Sequence, residues 1–569
     1  MKKLINNPHA VVDDMLEGVV LADHRLSLLE GDNIVVRSDF QTLKEQGKVA
    51  LISGGGAGHE PAHGGYVGPG MLTAAVAGPV FTSPSVDAIV NAIVTVAGPA
   101  GVLLIVKNYT GDRLNFGLAA EIARTSGIDV NVLVVGDDVA LDDTEAYAGR
   151  RGIAGTVLIH KVAGAGAEAG LSLQAVTDQA QQAADRLFSM GLGLGACTVP
   201  AAGKPGFVLE DDQVEYGLGI HGESGVRREA IERADVMIKS LVDRIVSQGH
   251  LQHGQRVALL VNNLGGTSVQ ELDIVARQAL HECSAHGLVV ELVMVGTFLT
   301  ALEMAGCSLS LLGLDDETVQ RLLAPSQTTA WPGMTRPAER VVRVEVQHRQ
   351  ADLMTQGPAW PAANARRFRA TIEAVTAALK SHEQVLTELD SVVGDGDIGI
   401  SLARGAQAID AALADLALDR PAMALQQISA ILRKVLGGTS GPLYAVFVLR
   451  AGVSLASAAS VEAPGSWADA FSAGCQAMQQ LGGANAGDRT MLDALLPAAD
   501  ALSRLAADVD AAYAAREVAV AADAGAQATR DLLPRKGRSS YLGQRALGHI
   551  DPGAYAVALW TQAIAQALE

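Results

Sequence analysis

The spacing of apolar residues follows two different patterns along this chain. Between residues 32 and 330, short apolar runs alternate with alanine-rich stretches of helical spacing. Continuous apolar strands that alternate with helices are typical of an α/β domain with a largely parallel sheet. We therefore predict an α/β domain over residues 1–330, and a split into two subdomains near residue 190 stays open. The strand-like runs include 49–52, 101–106, 130–135 and 256–261, and the helical stretches include 84–96 and 116–125.

The pattern changes near residue 324. Residues 324–363 contain five prolines and little helical periodicity, although residues 341–346 have the composition of a strand. Proline restricts the backbone, so we predict a stiff linker over residues 331–363. From residue 364 to 569 apolar residues recur at helical spacing and strand signals nearly vanish, which predicts an all-α bundle or barrel.

Bulk properties narrow the class of protein. A chain of 569 residues exceeds what one hydrophobic core usually serves, so at least two domains are expected. The net charge of −19 disfavours nucleic acid as a partner. The four cysteines are scattered without a CxxC pair, and neither a signal peptide nor a membrane-length apolar run is present. We therefore expect a cytoplasmic protein with reduced thiols.

Three aspartates in the segment LDSVVGDGDIG are the strongest chemical signal. Asp390, Asp395 and Asp397 supply the hard carboxylate oxygens that Mg²⁺ prefers. A glycine-rich element at residues 437–441 follows, and backbone N–H groups exposed by glycine suit phosphates. The pair of motifs indicates a nucleotide–Mg²⁺ site, whereas a solvated acidic turn is the plain alternative.

Polar clusters in the first half indicate a small-molecule site. The segment SGGGAGHEP follows a strand as a predicted turn, but it lacks the Lys-Ser/Thr ending of a P-loop. Lys107, Asn108 and Asp112 follow the run 101–106, where open α/β sheets bind ligands. Asp112 is a candidate base or, alternatively, a helix N-cap. His221 lies between glycines and is a candidate acid, base or nucleophile, although most histidines are structural.

Taken together, these clusters resemble the dihydroxyacetone (glycerone) kinase family in its single-chain, ATP-dependent form. That form joins a substrate-binding K domain to a nucleotide-binding L domain. The resemblance covers nearly the whole chain and rests on nine motifs in order. They are ISGGGAGHEPAHGGYVG, KNYTGDRLNFGLA, RGIAGT, GLGIHGE, NNLGGTS, GDGDIG, GGTSGPLY, GDRTMLDAL and HIDPGA.

The resemblance implies roles for residues of the first half. His221 matches the histidine that holds the substrate carbonyl as a covalent hemiaminal. Asp112 and His59 match groups that assist proton transfer at the phosphorylated hydroxyl. The positions that match contacts to the small ketone are Gly55, Gly56, Lys107 and Asp112.

The resemblance also implies a site for ATP and two Mg²⁺ ions in the second half. Asp390, Asp395 and Asp397 match the metal-binding carboxylates. Ile398 departs from the family, which has His, Thr or Cys there, and this bears on donor specificity. The residues on or near the segments around the nucleotide are Ile398, Gly399, Ile400, Ser401, Thr439, Ser440, Gly483, Arg489, Asp551 and Gly553.

The implied activity is phosphorylation of dihydroxyacetone by ATP in a homodimeric, cytoplasmic enzyme. Related activities are the phosphorylation of erythrulose or glyceraldehyde and the cyclisation of a flavin nucleotide. There are two further alternatives. One is a carbonyl-metabolite sensor, and the other is a form of the kinase that depends on a phosphotransferase system. A sensor needs no pair of Mg²⁺ ions, so the three aspartates disfavour it. Phosphoryl transfer depends on positioning and charge neutralisation, for which Mg²⁺ and Arg489 are the candidates.

Overall fold

The computed structural model describes residues 2–140, 149–223, 225–344, 354–506 and 509–569. The chain divides into two compact units, Met1–Arg343 and Val344–Glu569. No helix of the described residues is long and apolar enough to cross a membrane.

The first unit contains twelve strands and nine helices among its described residues. The strands are β1 (Leu26–Leu28), β2 (Ile34–Arg37), β3 (Ala50–Ala57), β4 (Ala74–Val80), β5 (Val102–Lys107), β6 (Val130–Val135), β7 (Leu187–Gly193), β8 (Gln213–Tyr216), β9 (Arg227–Ala230), β10 (Arg256–Asn263), β11 (Val289–Gly296) and β12 (Gly306–Gly313). The helices are α1 (Val11–Ala22), α2 (Phe40–Glu45), α3 (Val86–Val96), α4 (Thr110–Thr125), α5 (Thr156–Glu168), α6 (Leu173–Ala184), α7 (Ala234–Gln248), α8 (Val269–Ala285) and α9 (Asp316–Leu323), with a short 3-10 helix at Gly64–Tyr66.

The first six strands form one sheet in the order β1-β2-β4-β3-β5-β6. Strands β4, β3, β5 and β6 are parallel, whereas β1 and β2 pair antiparallel at one edge. One face packs on α3 and α4, and the other contributes to an apolar cluster with α1, α5 and α6. Burial on both faces explains why these strands are apolar throughout rather than alternating.

The remaining strands form a second sheet in the order β11-β10-β12-β7-β8-β9. Only β10 and β11 are parallel there, and the other neighbours are antiparallel. The prediction of a largely parallel sheet is therefore wrong for this half of the unit, although the α/β class is confirmed. Helices α7 and α8 cover one face, and the other face joins the same apolar cluster as the first sheet. Apolar runs covered on both sides do not reveal strand direction.

The glycine-rich segment after residue 52 is a strand rather than the predicted turn. Strand β3 continues to Ala57, because Gly54, Gly55 and Gly56 pair with β4. A Cβ at Gly54 would lie 2.3 Å from the carbonyl oxygen of Val76. The glycines therefore permit a close approach of two backbones within the sheet.

The first part of the proline-rich segment packs into the core of the first unit. Trp331 and Met334 are buried there, and Thr335 forms a bridge with Val293 of β11. Residues 341–344 are not a strand, and residues 345 and 346 of that predicted strand lie outside the described residues.

The described residues of the second unit contain α-helices and short 3-10 helices, which confirms the all-α prediction. Consecutive helices from α12 to α18 pack on one another, and α10 packs on both α18 and α12. These contacts close a ring of helices, which is the barrel alternative of the all-α prediction. The helices are α10 (Ala362–Ser381), α11 (Glu383–Val393), α12 (Ile398–Ala412), α13 (Pro421–Val435), α14 (Ser440–Ala456), α15 (Pro464–Gly482), α16 (Leu492–Ser503), α17 (Ala511–Ala528) and α18 (Pro552–Leu568), with 3-10 helices at Thr529–Asp531 and Arg538–Ala546.

Candidate active site

The first site lies at the carboxyl ends of strands β3 and β5. Lys107 ends β5 and Asp112 lies in the first turn of α4, and their side chains are buried 3.9 Å apart, from Nζ to Oδ2. A Cβ at Gly55 would lie 2.7 Å from Lys107 Nζ. The N-cap of α4 is Tyr109, so Asp112 does not cap the helix. Lys107 and Asp112 of the predicted polar cluster therefore meet, and Gly55 lies beside them.

Ser83 is a member of this site that sequence reasoning missed. Its hydroxyl donates a short hydrogen bond to Asp112 Oδ1 and so fixes the carboxylate. Both residues line a cavity of about 470 Å³, together with Gly56, Tyr109, Asn115 and His221. A lone serine that lies 29 residues before its partner gives no local signal. The side chain of Asn108, in contrast, donates to the carbonyl oxygen of Arg150 at 2.6 Å.

His221 has its Nδ1 atom 2.9 Å from the Oε1 atom of Glu223. A carboxylate only accepts hydrogen bonds, so Nδ1 carries a proton, and the lone pair of the imidazole form is on Nε2. Burial tends to raise the pKa of Glu223, but hydrogen bonds and the charge of His221 lower it to about 2. Glu223 is therefore ionised and orients the imidazole, although the sequence analysis assigned it no role.

His59 is fully buried beside His221, with ring centroids 4.8 Å apart. Its Nδ1 lies 2.8 Å from the carbonyl oxygen of Thr300, which only accepts, so the proton is on Nδ1. Burial, assisted by the charges of Lys107 and His221, lowers the pKa of His59 well below its usual value. Its Nε2 is a buried acceptor that makes no hydrogen bond within the described residues.

The second unit brings the three aspartates together. Oxygen atoms of Asp390, Asp395 and Asp397 lie within 4.8 Å of one another. Burial raises the pKa of Asp390, and the two neighbouring carboxylates add to this effect against hydrogen bonds from Asp397 and Ile398. Three converging carboxylates with mutual repulsion fit a hard divalent cation such as Mg²⁺.

Three helix N-termini carry eight of the ten predicted nucleotide residues. Ile398, Gly399, Ile400 and Ser401 form the first turn of α12, Thr439 is the N-cap of α14 before Ser440, and Asp551 is the N-cap of α18, in whose first turn Gly553 lies. A Cβ at Gly438 would lie 3.8 Å from Asp397 Oδ2, so the start of α14 is close to the aspartates. Helix N-termini present N–H groups that suit phosphate oxygens, although the N–H of Ile398 donates to Asp390 and that of Ala554 donates to Asp551. Gly483 lies elsewhere along the chain, as the left-handed C-cap of α15.

The side chain of Ile398 is buried in the core of the second unit. Its backbone N–H donates to Asp390 Oδ2 at 3.2 Å, so the departure from the family leaves this hydrogen bond intact. Ile400 is 53% exposed instead. Only the backbone of Ile398 therefore faces the aspartates.

Arg489 is buried rather than exposed to a ligand. Its guanidinium donates to the carbonyl oxygens of Thr529, Ala546 and His549. One nitrogen, Nη1, makes no hydrogen bond within the described residues. Arg489 therefore holds the loop before α18 in place, and we expect it to act on the nucleotide mainly through that loop.

Arg538 is a further residue that sequence reasoning missed. It begins the 3-10 helix Arg538–Ala546 and forms a short ion pair with Asp395 Oδ2. Arg538 is separated from Asp395 by 143 positions, so no local motif links them. A guanidinium at the aspartate cluster is suited to contact phosphate oxygens as well.

Comparison with known proteins identifies the family. The Dak1 domain matches residues 17–330 and the DAK2 domain matches residues 392–566. The chain is 42% identical to the human triokinase/FMN cyclase, over 100% of this chain and 99% of that protein. It is 47% identical to the dihydroxyacetone-binding subunit DhaK of a PTS-dependent dihydroxyacetone kinase from Listeria innocua, over 58% of this chain and all of that subunit.

A solved structure is similar over the full length. The crystal structure of the dihydroxyacetone kinase from C. freundii in complex with AMP-PNP and Mg²⁺ is 38% identical in sequence and has a TM-score of 0.67. The similarity covers 99% of each chain. With Dak1 and DAK2 domains in one chain and relatives of this identity over its whole length, the chain belongs to the dihydroxyacetone kinase family.

Proposed function

We propose that this chain transfers the γ-phosphate of ATP to a hydroxyl of dihydroxyacetone. The observation that carries the proposal is the hydrogen bond between His221 and Glu223. The Nδ1 proton of His221 is directed to Glu223, and this leaves the Nε2 lone pair of the imidazole for a carbonyl carbon. The similarity of the first unit to a dihydroxyacetone-binding subunit supports the same assignment.

The first step captures the ketone. Nε2 of His221 bonds to the carbonyl carbon, the C=O π electrons move to the oxygen, and this oxygen takes a proton from solvent. The imidazole becomes a cation, which the Glu223 carboxylate at 2.9 Å stabilises. Glycerol has no carbonyl group and fails at this step, so the mechanism selects ketones and aldehydes.

The second step removes a proton from the hydroxyl that receives phosphate. Asp112 is a candidate base, since Lys107 and Ser83 hold its carboxylate in place. His59 is the other candidate, because its buried Nε2 carries a lone pair. Lys107 also stabilises negative charge that develops on the attacking oxygen.

The three aspartates of the second unit are proposed to hold Mg²⁺ on the phosphates of ATP. The metal neutralises phosphate charge and orients the γ-phosphate when it is bound. The first turns of α12, α14 and α18 supply N–H groups, and Arg538 supplies a cation at Asp395.

Glyceraldehyde is the second candidate substrate. The full-length similarity to a triokinase/FMN cyclase favours it, and an aldehyde satisfies the same chemistry at His221. Erythrulose is a larger ketose with the same reactive group. The homodimer that the resemblance implies stays a prediction, to be checked by light scattering on the purified chain.

The proposal is tested by following ADP release with ATP and Mg²⁺ over dihydroxyacetone, erythrulose, glyceraldehyde and glycerol. We expect turnover with dihydroxyacetone and none with glycerol. Equal rates with glycerol would refute capture of a carbonyl. If no compound is phosphorylated, the chain is a sensor or uses a protein phosphodonor, and addition of FAD would then test for FMN cyclisation.

A further inference from the structure

The groups assigned to the reaction in the first unit come from two different sheets. Both candidate bases, Asp112 and His59, follow strands of the first sheet. His221 instead lies on the loop that follows β8 of the second sheet. A ketone captured by His221 therefore presents its hydroxyl to a base only if this loop is held in register with the first sheet.

The loop from Gly217 to Glu223 is closed by its own hydrogen bonds. The N–H of Gly219 donates to the carbonyl oxygen of Glu223 at 3.2 Å. The Glu223 carboxylate accepts from the N–H of His221 at 3.0 Å and from its Nδ1 at 2.9 Å. Because His221 and Glu223 are joined in this way, a group that holds Glu223 also holds the imidazole.

Arg151 reaches this loop from the first sheet. It begins the RGIAGT motif, which has no part in the steps described above. Its Nε donates to Asp138 Oδ2 at 2.8 Å, and its Nη2 lies 2.6 Å from the same oxygen. Asp138 follows the edge strand β6 and is 2% exposed, so the guanidinium is anchored on the first sheet.

The same guanidinium contacts the His221 loop. Nη2 of Arg151 donates to the carbonyl oxygen of Gly217 at 2.7 Å, where the loop begins. A Cβ at Gly219 would lie 2.9 Å from Nη1 of Arg151 and 2.0 Å from Oε2 of Glu223. The guanidinium and the carboxylate therefore approach each other over a glycine, and a larger residue would stand between them. The planar fork of arginine can serve acceptors on several sides at once.

The backbone already joins the two sheets beside Arg151. The N–H of Ser189 in β7 donates to the carbonyl oxygen of Asp137 at 2.7 Å, and the N–H of Val139 donates to the carbonyl oxygen of Ser189 at 2.8 Å. Arg151 extends this junction through side-chain contacts to the His221 loop. Its removal should therefore release the loop while the two sheets stay joined.

We propose that Arg151 is a positioning residue for phosphoryl transfer, which holds the His221–Glu223 pair in register with the bases of the first sheet. This role rests on the proposed function, because it concerns the ketone that His221 captures. It acts mainly after capture, since the bond from Nε2 to the carbonyl carbon needs neither Asp112 nor His59, whereas removal of the hydroxyl proton needs one of them.

The test measures two quantities for the full chain and for Arg151→Met. The ADP-release assay gives kcat at saturating dihydroxyacetone, and mass spectrometry gives the fraction of protein that carries the ketone adduct. We expect kcat to fall at least tenfold and the adduct fraction to fall less than threefold. A merely structural role would lower both in proportion, because both would then follow the amount of folded protein. An unchanged ratio of kcat to adduct fraction would overturn the proposal.

Gly219→Ala tests the same contact without removing a charge, since the added Cβ enters the gap between Arg151 and Glu223. We expect a similar fall in the ratio of kcat to adduct fraction. The double variant should be no worse than Arg151→Met alone, because both changes break one contact. Gly195→Ala is the matched control, since a Cβ there meets no atom within 4 Å. Additive losses in the double variant would contradict a shared contact.

Arg186→Met is the control for the loss of an ion pair. Arg186 pairs with Asp315 at 2.7 Å and precedes β7, at the end of that strand away from the His221 loop. Its kcat should equal that of the wild type. Arg151→Lys keeps the charge but loses the fork, so we expect kcat to stay at least fivefold below the wild type. Full activity of Arg151→Lys would overturn the positioning role, because charge alone would then suffice.

The wild type separates failure of this inference from failure of the proposed function. Absence of turnover with any ketone in the wild type would refute the proposed function itself. Turnover in the wild type together with an unchanged kcat in folded Arg151→Met would refute only the role of Arg151. If Arg151→Met does not fold, Gly219→Ala is held to the same expectation.

Discussion

Gly55 and Lys107 lie so close together that a Cβ at Gly55 would be 2.7 Å from the Lys107 ammonium nitrogen. Glycine at this position is therefore a condition for the Lys107–Asp112 pair, whose atoms lie 3.9 Å apart. The family resemblance assigns Gly55 to ketone binding, and the structure adds a steric reason for glycine there.

Gly55→Ala should displace Lys107 and lower kcat/KM for dihydroxyacetone at least tenfold, or about 1.4 kcal/mol in transition-state stabilisation. Steady-state kinetics with the ADP-release assay measure the loss. Gly117→Ala is the matched control, because a Cβ at Gly117 in α4 meets no atom within 4 Å. Similar values of kcat/KM for both variants would show that displacement of Lys107 does not affect turnover.

His221→Ala should lower the affinity for dihydroxyacetone at least hundredfold and leave ATP binding unchanged, because the two ligands are assigned to different units. Calorimetry with each ligand separates the two effects. His9→Ala changes an exposed histidine and is the control. Retention of full turnover by His221→Ala would refute covalent capture.

Glu223→Gln keeps a hydrogen-bond acceptor near His221 but removes the charge that balances the captured form. We expect about a tenfold loss in kcat/KM, which corresponds to about 1.4 kcal/mol. The protein should also form less of the reversible adduct with dihydroxyacetone. Mass spectrometry after quenching without borohydride measures the adduct yield, which should fall in parallel with kcat/KM. An unchanged adduct yield would show that the charge of Glu223 is not needed.

Asp395→Asn should abolish Mg²⁺-dependent turnover, because it removes one of three converging carboxylates.

Arg538→Ala frees Asp395 from its ion pair, so we expect tighter Mn²⁺ binding in the absence of nucleotide together with a lower kcat. Electron paramagnetic resonance titration with Mn²⁺ measures the affinity. Arg545→Ala, an exposed arginine of the same 3-10 helix, should change neither quantity.

Arg489→Met should destabilise the second unit by about 1–3 kcal/mol, which is the cost of a buried carbonyl left without a donor. The carbonyl oxygen of His549 loses its donor in this variant, whereas those of Thr529 and Ala546 still accept from the N–H groups of Leu532 and His549. Differential scanning calorimetry measures the loss, and ATP affinity should fall with it because the loop before α18 is released. Normal stability with lost ATP binding would instead indicate direct contact between Arg489 and the nucleotide.

Asp137 should make the first unit less stable as the pH rises from 4 to 7. Burial raises its pKa to about 6, although hydrogen bonds from Ser189 and the N–H of Ile153 oppose this. Between the unfolded value near 3.8 and the folded value, the native state holds a proton that the unfolded chain has released. Each pKa unit is worth about 1.4 kcal/mol, so the loss amounts to about 2–3 kcal/mol.

Urea unfolding midpoints of the wild type and Asp137→Asn at pH 4.5 and 7 measure this contribution. The difference between the two pH values should be smaller in the variant. Asp211→Asn changes an exposed loop carboxylate and should retain the wild-type difference. An unaltered pH dependence in Asp137→Asn would contradict a raised pKa.

The sequence was informative where chemistry depends on neighbours along the chain. Asp390, Asp395 and Asp397 lie within one short segment, and the structure brings their oxygen atoms together. Helix periodicity also identified the second unit, because the ring of helices buries one face of each. The direction of β12 could not be predicted from the sequence, because a strand covered on both faces is apolar in either orientation.

Residues that act across long separations in sequence were missed for a physical reason. Ser83 contacts Asp112 and Arg538 contacts Asp395 only after the chain has folded. Arg489 shows the converse, because a motif located it but did not reveal that its guanidinium is bound by backbone carbonyls. Family motifs therefore identify positions, whereas hydrogen-bond partners come from the three-dimensional arrangement.

The closure of the helical ring has a consequence for synthesis on the ribosome. Helix α10 is the first helix of the second unit and packs on α18, the last. The core of this unit therefore stays incomplete until α18 has emerged from the exit tunnel, whatever the order in which the earlier helices form. The first unit has all of its strands by Gly313 and is free to fold while the aspartates are still being translated.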